Sequence, residues 1–119
     1  MKPGPLRDRS FLFALNSVKI YKNIIANHKE YVLARQFLRS STSVGANIRE
    51  AQNAQSRADF IHKLSIAQKE CDESLYWLDL LHQSHFLPDS DYKTLTNEAN
   101  NILKMIKSSI LTAKGNRGG

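Results

Sequence analysis

Apolar residues recur along this chain at alternating spacings of three and four, the pattern of helices that bury one face. Ser10 is a residue type that caps helices, and after it Phe11, Ala14, Val18, Tyr21 and Ile25 predict a first helix to about Asn27. Lys19 and Lys22 lie off that seam. Asn27-His28-Lys29 reads as a polar turn into a second helix over about 30–55, with a seam of Ala34, Phe37 or Leu38, Ser41, Val44 or Gly45, Ile48 and Ala51. Its small residues, Ser41, Gly45 and Ala46, permit close helix approach. Ser56 followed three residues later by Asp59 is a capping-box pattern, so a third helix is expected over about 57–84. Its seam, Phe60, Leu64, Ala67, Cys71, Ser74, Leu78 and Leu81, keeps a strict 4–3 spacing suited to shallow bundle packing. Asp89 is a candidate cap for a fourth helix over about 90–113, with Leu95, Ala99, Ile102, Ile106, Ser109 and Ala113 facing inward. Residues 1–9 read as a polar lead-in and 114–119 as a basic flexible tail.

Four helices with three short links predict an all-α fold, an antiparallel up-down-up-down four-helix bundle over 10–113. The third helix is apolar on nearly every side around Leu75 to Leu81, more than one core can use. Tyr76, Trp77 and Leu80 are therefore expected to form the interface of a homo-oligomer. The alternative is that Trp77 covers the bundle end against Phe86 and Leu87.

The length of 119 residues suits one domain, and no apolar run approaches a membrane span. The start lacks the apolar core of a signal peptide, so a cytoplasmic location is expected. A single cysteine, Cys71, excludes an internal disulfide. The formal charge is +6, and residues 1–55 hold nine Lys and Arg against three Asp and Glu, while 56–119 hold eight of each. A basic half attracts polyanions, nucleic acid first among them. Arg35, Arg39 and Arg49 share one face of the second helix, with Lys19 and Lys22 on the adjacent first helix, and these five are the expected nucleic-acid contacts. No aromatic is evidently interleaved with them, so contact through the backbone, with strong salt dependence, is expected. A bias that only keeps the protein dispersed is the alternative.

Catalytic and cofactor chemistry finds little support. Di-iron bundles need Glu-x-x-His pairs, and none is present. His82 and His85 sit near a helix end about three turns from Cys71, so neither metal nor cofactor is expected. Arg57 and His62 match the Arg-x4-His pattern of HEPN ribonucleases, although Ala58 stands where those usually carry a polar residue. A ribonuclease using this pair is the lesser alternative to a non-enzymatic protein. Glu50 near a core seam is costly unless paired, so Ser41, Ser43, Asn47 and Glu50, with Lys69, Glu70 and Glu73 on the third helix, are read as a structural polar network.

At Ser41-x-Ser-Val-Gly-Ala-Asn-Ile-x-Glu50-Ala, at Ala54 to Ala67, and at Lys69-Glu70 with Glu73-x-x-Tyr76-Trp77-Leu78, the chain resembles a bacterial four-helix bundle family. That family includes proteins encoded in intervening sequences of large-subunit ribosomal RNA genes, and the resemblance runs from about Leu12 to Lys107. It implies a homopentamer with a central channel. It also implies kinship to the basic, nucleic-acid-binding accessory proteins of diversity-generating retroelements, which partner a reverse transcriptase. The family motif carries over at Ser41, Ser43, Asn47, Glu50, Ala67 and Glu73. Ala51, Lys69 and Glu70 depart from the Gly and Gly-Ser that many members have there. Neither membrane association nor catalysis is implied.

Overall fold

The computed structural model describes residues 4–115, and among them there are four helices and no strand. They are α1 (Pro5–His28), α2 (Val32–Gln52), α3 (Arg57–Gln83) and α4 (Asp89–Gly115). Consecutive helices pack together and α4 closes onto α1, leaving the diagonal pairs apart. Ser40 meets Ser74 and Glu50 meets Lys63, so rising numbers on α2 face falling numbers on α3, which makes the pair antiparallel.

α1 starts earlier than its capping pattern suggests. Pro5 occupies the first turn, where its missing N–H has no partner to lose. Ser10 is therefore not a cap: it lies buried inside α1, and its hydroxyl donates to the Arg7 carbonyl at 3.1 Å. Residues 5–9 belong to the helix rather than to a lead-in. The buried face is Ser10, Phe13, Ser17, Ile20 and Ile24, one position back from the expected seam, and Phe11 is 52% exposed. Both series have the same 3–4 spacing, so periodicity cannot choose between them. Packing does: a Cβ on Gly45 of α2 would stand 3.3 Å from the Ser10 carbonyl oxygen, and the two helices approach this closely only with small residues facing each other. α1 ends at Lys29, which takes the left-handed conformation (φ 54°) and donates its N–H to the Ile25 carbonyl.

α2 is shorter than expected at both ends. Glu30 lies before it and accepts the Ala34 N–H at 2.9 Å, satisfying one of the helix's free donors. The two undecided seam positions are filled by Phe37 and Val44, both fully buried. At the start of α3 the Ser56 hydroxyl accepts the Asp59 N–H at 3.0 Å, while the Asp59 carboxylate faces the Gln55 N–H at 3.4 Å rather than that of Ser56. The α3 seam is buried from Leu64 to Leu81, with Phe60 half-buried. In α4, Leu103 and Ile110 join Leu95, Ala99, Ile102 and Ile106 in the core, while Ser109 and Ala113 are only half-buried. Asp89 lies in the first turn of α4, and its carboxylate is 2.6 Å from His82 Nε2. Lys114 and Gly115 complete α4, and the rest of the expected tail, 116–119, lies outside the described residues.

Candidate nucleic-acid interface

Lys19 and Lys22 project from α1, Arg35 and Arg49 from α2, and all four are exposed. None forms an ion pair among the described residues. The register set by Ser10 against Gly45 brings Lys22 and Arg35 to about the same level of the bundle. Arg39 does not belong with them. Its guanidinium turns to α3, where it pairs with Glu73 and lies 3.3 Å from Glu70 Oε1. The hydrogen bond to Glu73, then that to Glu70, holds the Arg39 pKa above its ordinary value. Glu73 also accepts the Trp77 indole N–H at 3.1 Å, and this bond, with Arg39 adding to it, holds the Glu73 carboxyl below its usual range. Lys69, exposed nearby, pushes Glu73 in the same direction.

The expected polar network is not one network. Ser41, Ser43 and Asn47 bond back along α2: Ser41 Oγ to the Leu38 carbonyl (3.2 Å), Ser43 Oγ to the Arg39 carbonyl (2.7 Å) and Asn47 Nδ2 to the Ser43 carbonyl (2.8 Å). Glu50 is exposed rather than buried and pairs with Lys63 of α3 at 3.0 Å. The buried polar link between α2 and α3 is instead Ser74 to Ser40, 3.0 Å between hydroxyls with no exposure. Ser74 stood in the predicted seam as an apolar substitute, and nothing in the pattern paired it with Ser40.

Of the expected interface residues, Tyr76 is 58% exposed and stacks edge-on against Trp77. Trp77 and Leu80 are half-buried, and Trp77 packs on the core. Phe86 edges against His28, not Trp77. Leu12 and Leu15, each 53% exposed, are surface apolar residues that belong to neither the expected nor the observed α1 seam.

Two further features escaped the sequence. Lys93, Lys104, Lys107 and Lys114 run along the exposed side of α4, with Asn97, Asn100 and Asn101 between them. None forms an ion pair among the described residues. The zero net charge of the second half hid this stripe, because most of the matching acids lie elsewhere and only Asp89, one turn before Lys93, shares its side of α4. The other is a groove of about 620 Å³ between α1 and α2, lined by Arg7, Phe11 and Arg49, with the Arg49 guanidinium 5.7 Å from the Phe11 ring centroid. The basic face therefore does carry an aromatic.

Arg57 and His62 are both exposed on α3, five residues apart, and neither forms an ion pair among the described residues. Cys71 is sealed in the core, where burial, then Asp72, pushes its thiol up to about 12. Among the described residues no three His, Cys, Asp or Glu side chains gather as metal ligands. No described helix is long and apolar enough to cross a membrane.

A family model described as 23S rRNA-intervening sequence protein matches residues 6–108. A crystal structure at 1.70 Å of a protein with unknown function from the S23 ribosomal protein family of Bacteroides thetaiotaomicron VPI-5482 is 47% identical, with a TM-score of 0.87. The likeness covers 88% of this chain and 97% of that one. No curated protein matches. With a family model spanning all four helices and a closely similar fold at that identity, the chain belongs to the 23S rRNA-intervening sequence protein family.

Proposed function

We propose that this protein is a non-enzymatic, cytoplasmic, homo-oligomeric bundle that binds RNA or DNA through backbone electrostatics. The reading makes it an accessory factor of a ribosomal RNA intervening sequence or of a retroelement, with a reverse transcriptase as its candidate protein partner. The observation that carries it is the set of four exposed cations, Lys19, Lys22, Arg35 and Arg49, left without acidic partners among the described residues while Arg39 is neutralised by α3. Arg forks and Lys ammonium groups held off the core in this way suit phosphates, and the contacts release counterions.

A pentamer is the favoured assembly. Tyr76 on α3 and the Leu12–Leu15 pair on α1 form two apolar patches on helices that do not touch. Patches on opposite sides of a subunit are what a head-to-tail ring requires.

A mobility-shift titration across salt tests the binding. Affinity is expected to fall steeply as salt rises, and to fall further when Lys19, Lys22, Arg35 and Arg49 are changed to Glu. Absence of binding at low ionic strength, or binding indifferent to salt, favours a protein–protein scaffold instead. RNA cleavage by the wild type, lost in His62→Ala, favours the ribonuclease reading instead.

A further inference from the structure

Phe11 stands half-exposed on the edge between α1 and α2, where a core role was expected of it. It walls the groove of about 620 Å³, within the range of ligand sites. The floor is made of small residues, Ala14, Gly45 and Ala46, and Arg7 also lines it. Two carboxylates share the lining, but both are engaged: Glu50 pairs with Lys63, and Asp59 faces the Gln55 N–H. Arg7 and Arg49 are thus the cations without an ionic partner among the described residues. An aromatic ring beside an exposed guanidinium, with a second cation in the same slot, matches a flat ring that carries negative charge close by. Unpaired bases stack on such platforms, whereas bases inside a duplex are covered by their own neighbours.

We propose that this groove binds one unpaired nucleotide of a single-stranded nucleic acid, its base stacked on Phe11 and Arg49 and its flanking phosphate met by Arg7. The site rests on the nucleic-acid reading above and adds to it a contact that discriminates single strands from duplexes.

The test compares wild type, Phe11→Leu and Phe11→Trp by fluorescence anisotropy, using a labelled single-stranded oligonucleotide in ribo and deoxy forms and the duplex of the same sequence at one ionic strength. Leu keeps the apolar bulk and the helix but removes the π face. Loss of one stacked base is expected to weaken single-strand binding by roughly tenfold or more. Duplex binding should stay unchanged, and Trp should retain single-strand affinity. An oligonucleotide carrying 5-iodouracil should photocrosslink to the α1 peptide containing Phe11. Equal single-strand affinity of wild type and Phe11→Leu, with both binding, overturns the site and leaves the broader reading standing. Failure of the wild type to bind either probe removes both. A change in oligomer mass in Phe11→Leu with single-strand affinity intact assigns Phe11 to a subunit contact and overturns the site.

Discussion

Ser74 donates a hydrogen bond to Ser40 across the α2–α3 interface, 3.0 Å between two oxygens that solvent does not reach. Each hydroxyl has an acceptor on its own helix, since Ser40 donates to the Phe37 carbonyl at 3.1 Å and the Glu70 carbonyl, 2.9 Å from Ser74 Oγ, can take the one Ser74 proton when Ser40 is absent. Removing either side chain therefore strands no buried donor. Ser40→Ala and Ser74→Ala should each lower stability by only about 0.5–1.5 kcal/mol. Ser74→Leu, which must push the helices apart, should cost about 1–3 kcal/mol. Urea unfolding midpoints check the order.

Arg35 and Arg39 lie one turn apart on α2, and of the two only Arg39 is ion-paired among the described residues. Arg39→Ala should reduce stability by no more than about 1 kcal/mol, because its pair with Glu70 and Glu73 is partly exposed. Arg35→Ala should leave stability unchanged and lessen the salt dependence of nucleic-acid binding. Thermal melts and salt titrations of the two variants separate the roles, and an Arg39 variant with the binding loss expected of Arg35 would contradict the assignment.

The helix count, the α3 seam and the core of α2 were legible in the sequence because each rests on long periodic runs. The α1 seam was not, since Phe11-Ala14-Val18 and Ser10-Phe13-Ser17 have equal spacing. Only the partner helix, through Gly45, decides for the series containing Ser10. The same slip hid the aromatic beside Arg49, because it assigned Phe11 to the core. Arg39 was misplaced for another reason: helical angle gives the side of α2 it leaves from, but not that Glu70 and Glu73 of α3 lie within its reach.

Trp77, the one tryptophan, reports on Glu73 directly through its indole N–H. The depressed Glu73 pKa means its stabilisation is complete above the ordinary glutamate value and is lost as pH falls through the lower folded value. Trp77 emission should accordingly titrate with a midpoint below 4.5, the reference value for Glu73. Arg39→Ala should move that midpoint upward and Glu73→Gln should abolish the titration.

Glu98 has the opposite sign. Burial raises its pKa, with the Asn16 amide at 3.0 Å opposing, so folding favours the protonated acid and stability declines as pH rises through the folded value. Glu98→Gln keeps an acceptor for Asn16 and removes the charge. The variant should be more stable than wild type near neutral pH, and the difference should vanish in acid, below the ordinary glutamate range. Denaturant unfolding at the two pH values reads the effect directly.

The ring proposal makes a prediction that no symmetric dimer shares. In a head-to-tail ring each interface joins the Tyr76 patch of one subunit to the Leu12–Leu15 patch of the next, so a charge in either patch breaks every contact. Tyr76→Asp and Leu15→Asp should each be monomeric by light scattering. When the two variants are mixed, the intact leucine patch of the first meets the intact Tyr76 of the second, and one sound interface forms per pair. The mixture should give heterodimers and stop there, because the remaining faces are both charged. An isologous interface would place both substitutions across the same contact and leave the mixture monomeric. Variants that stay fully assembled would show that neither patch holds subunits together.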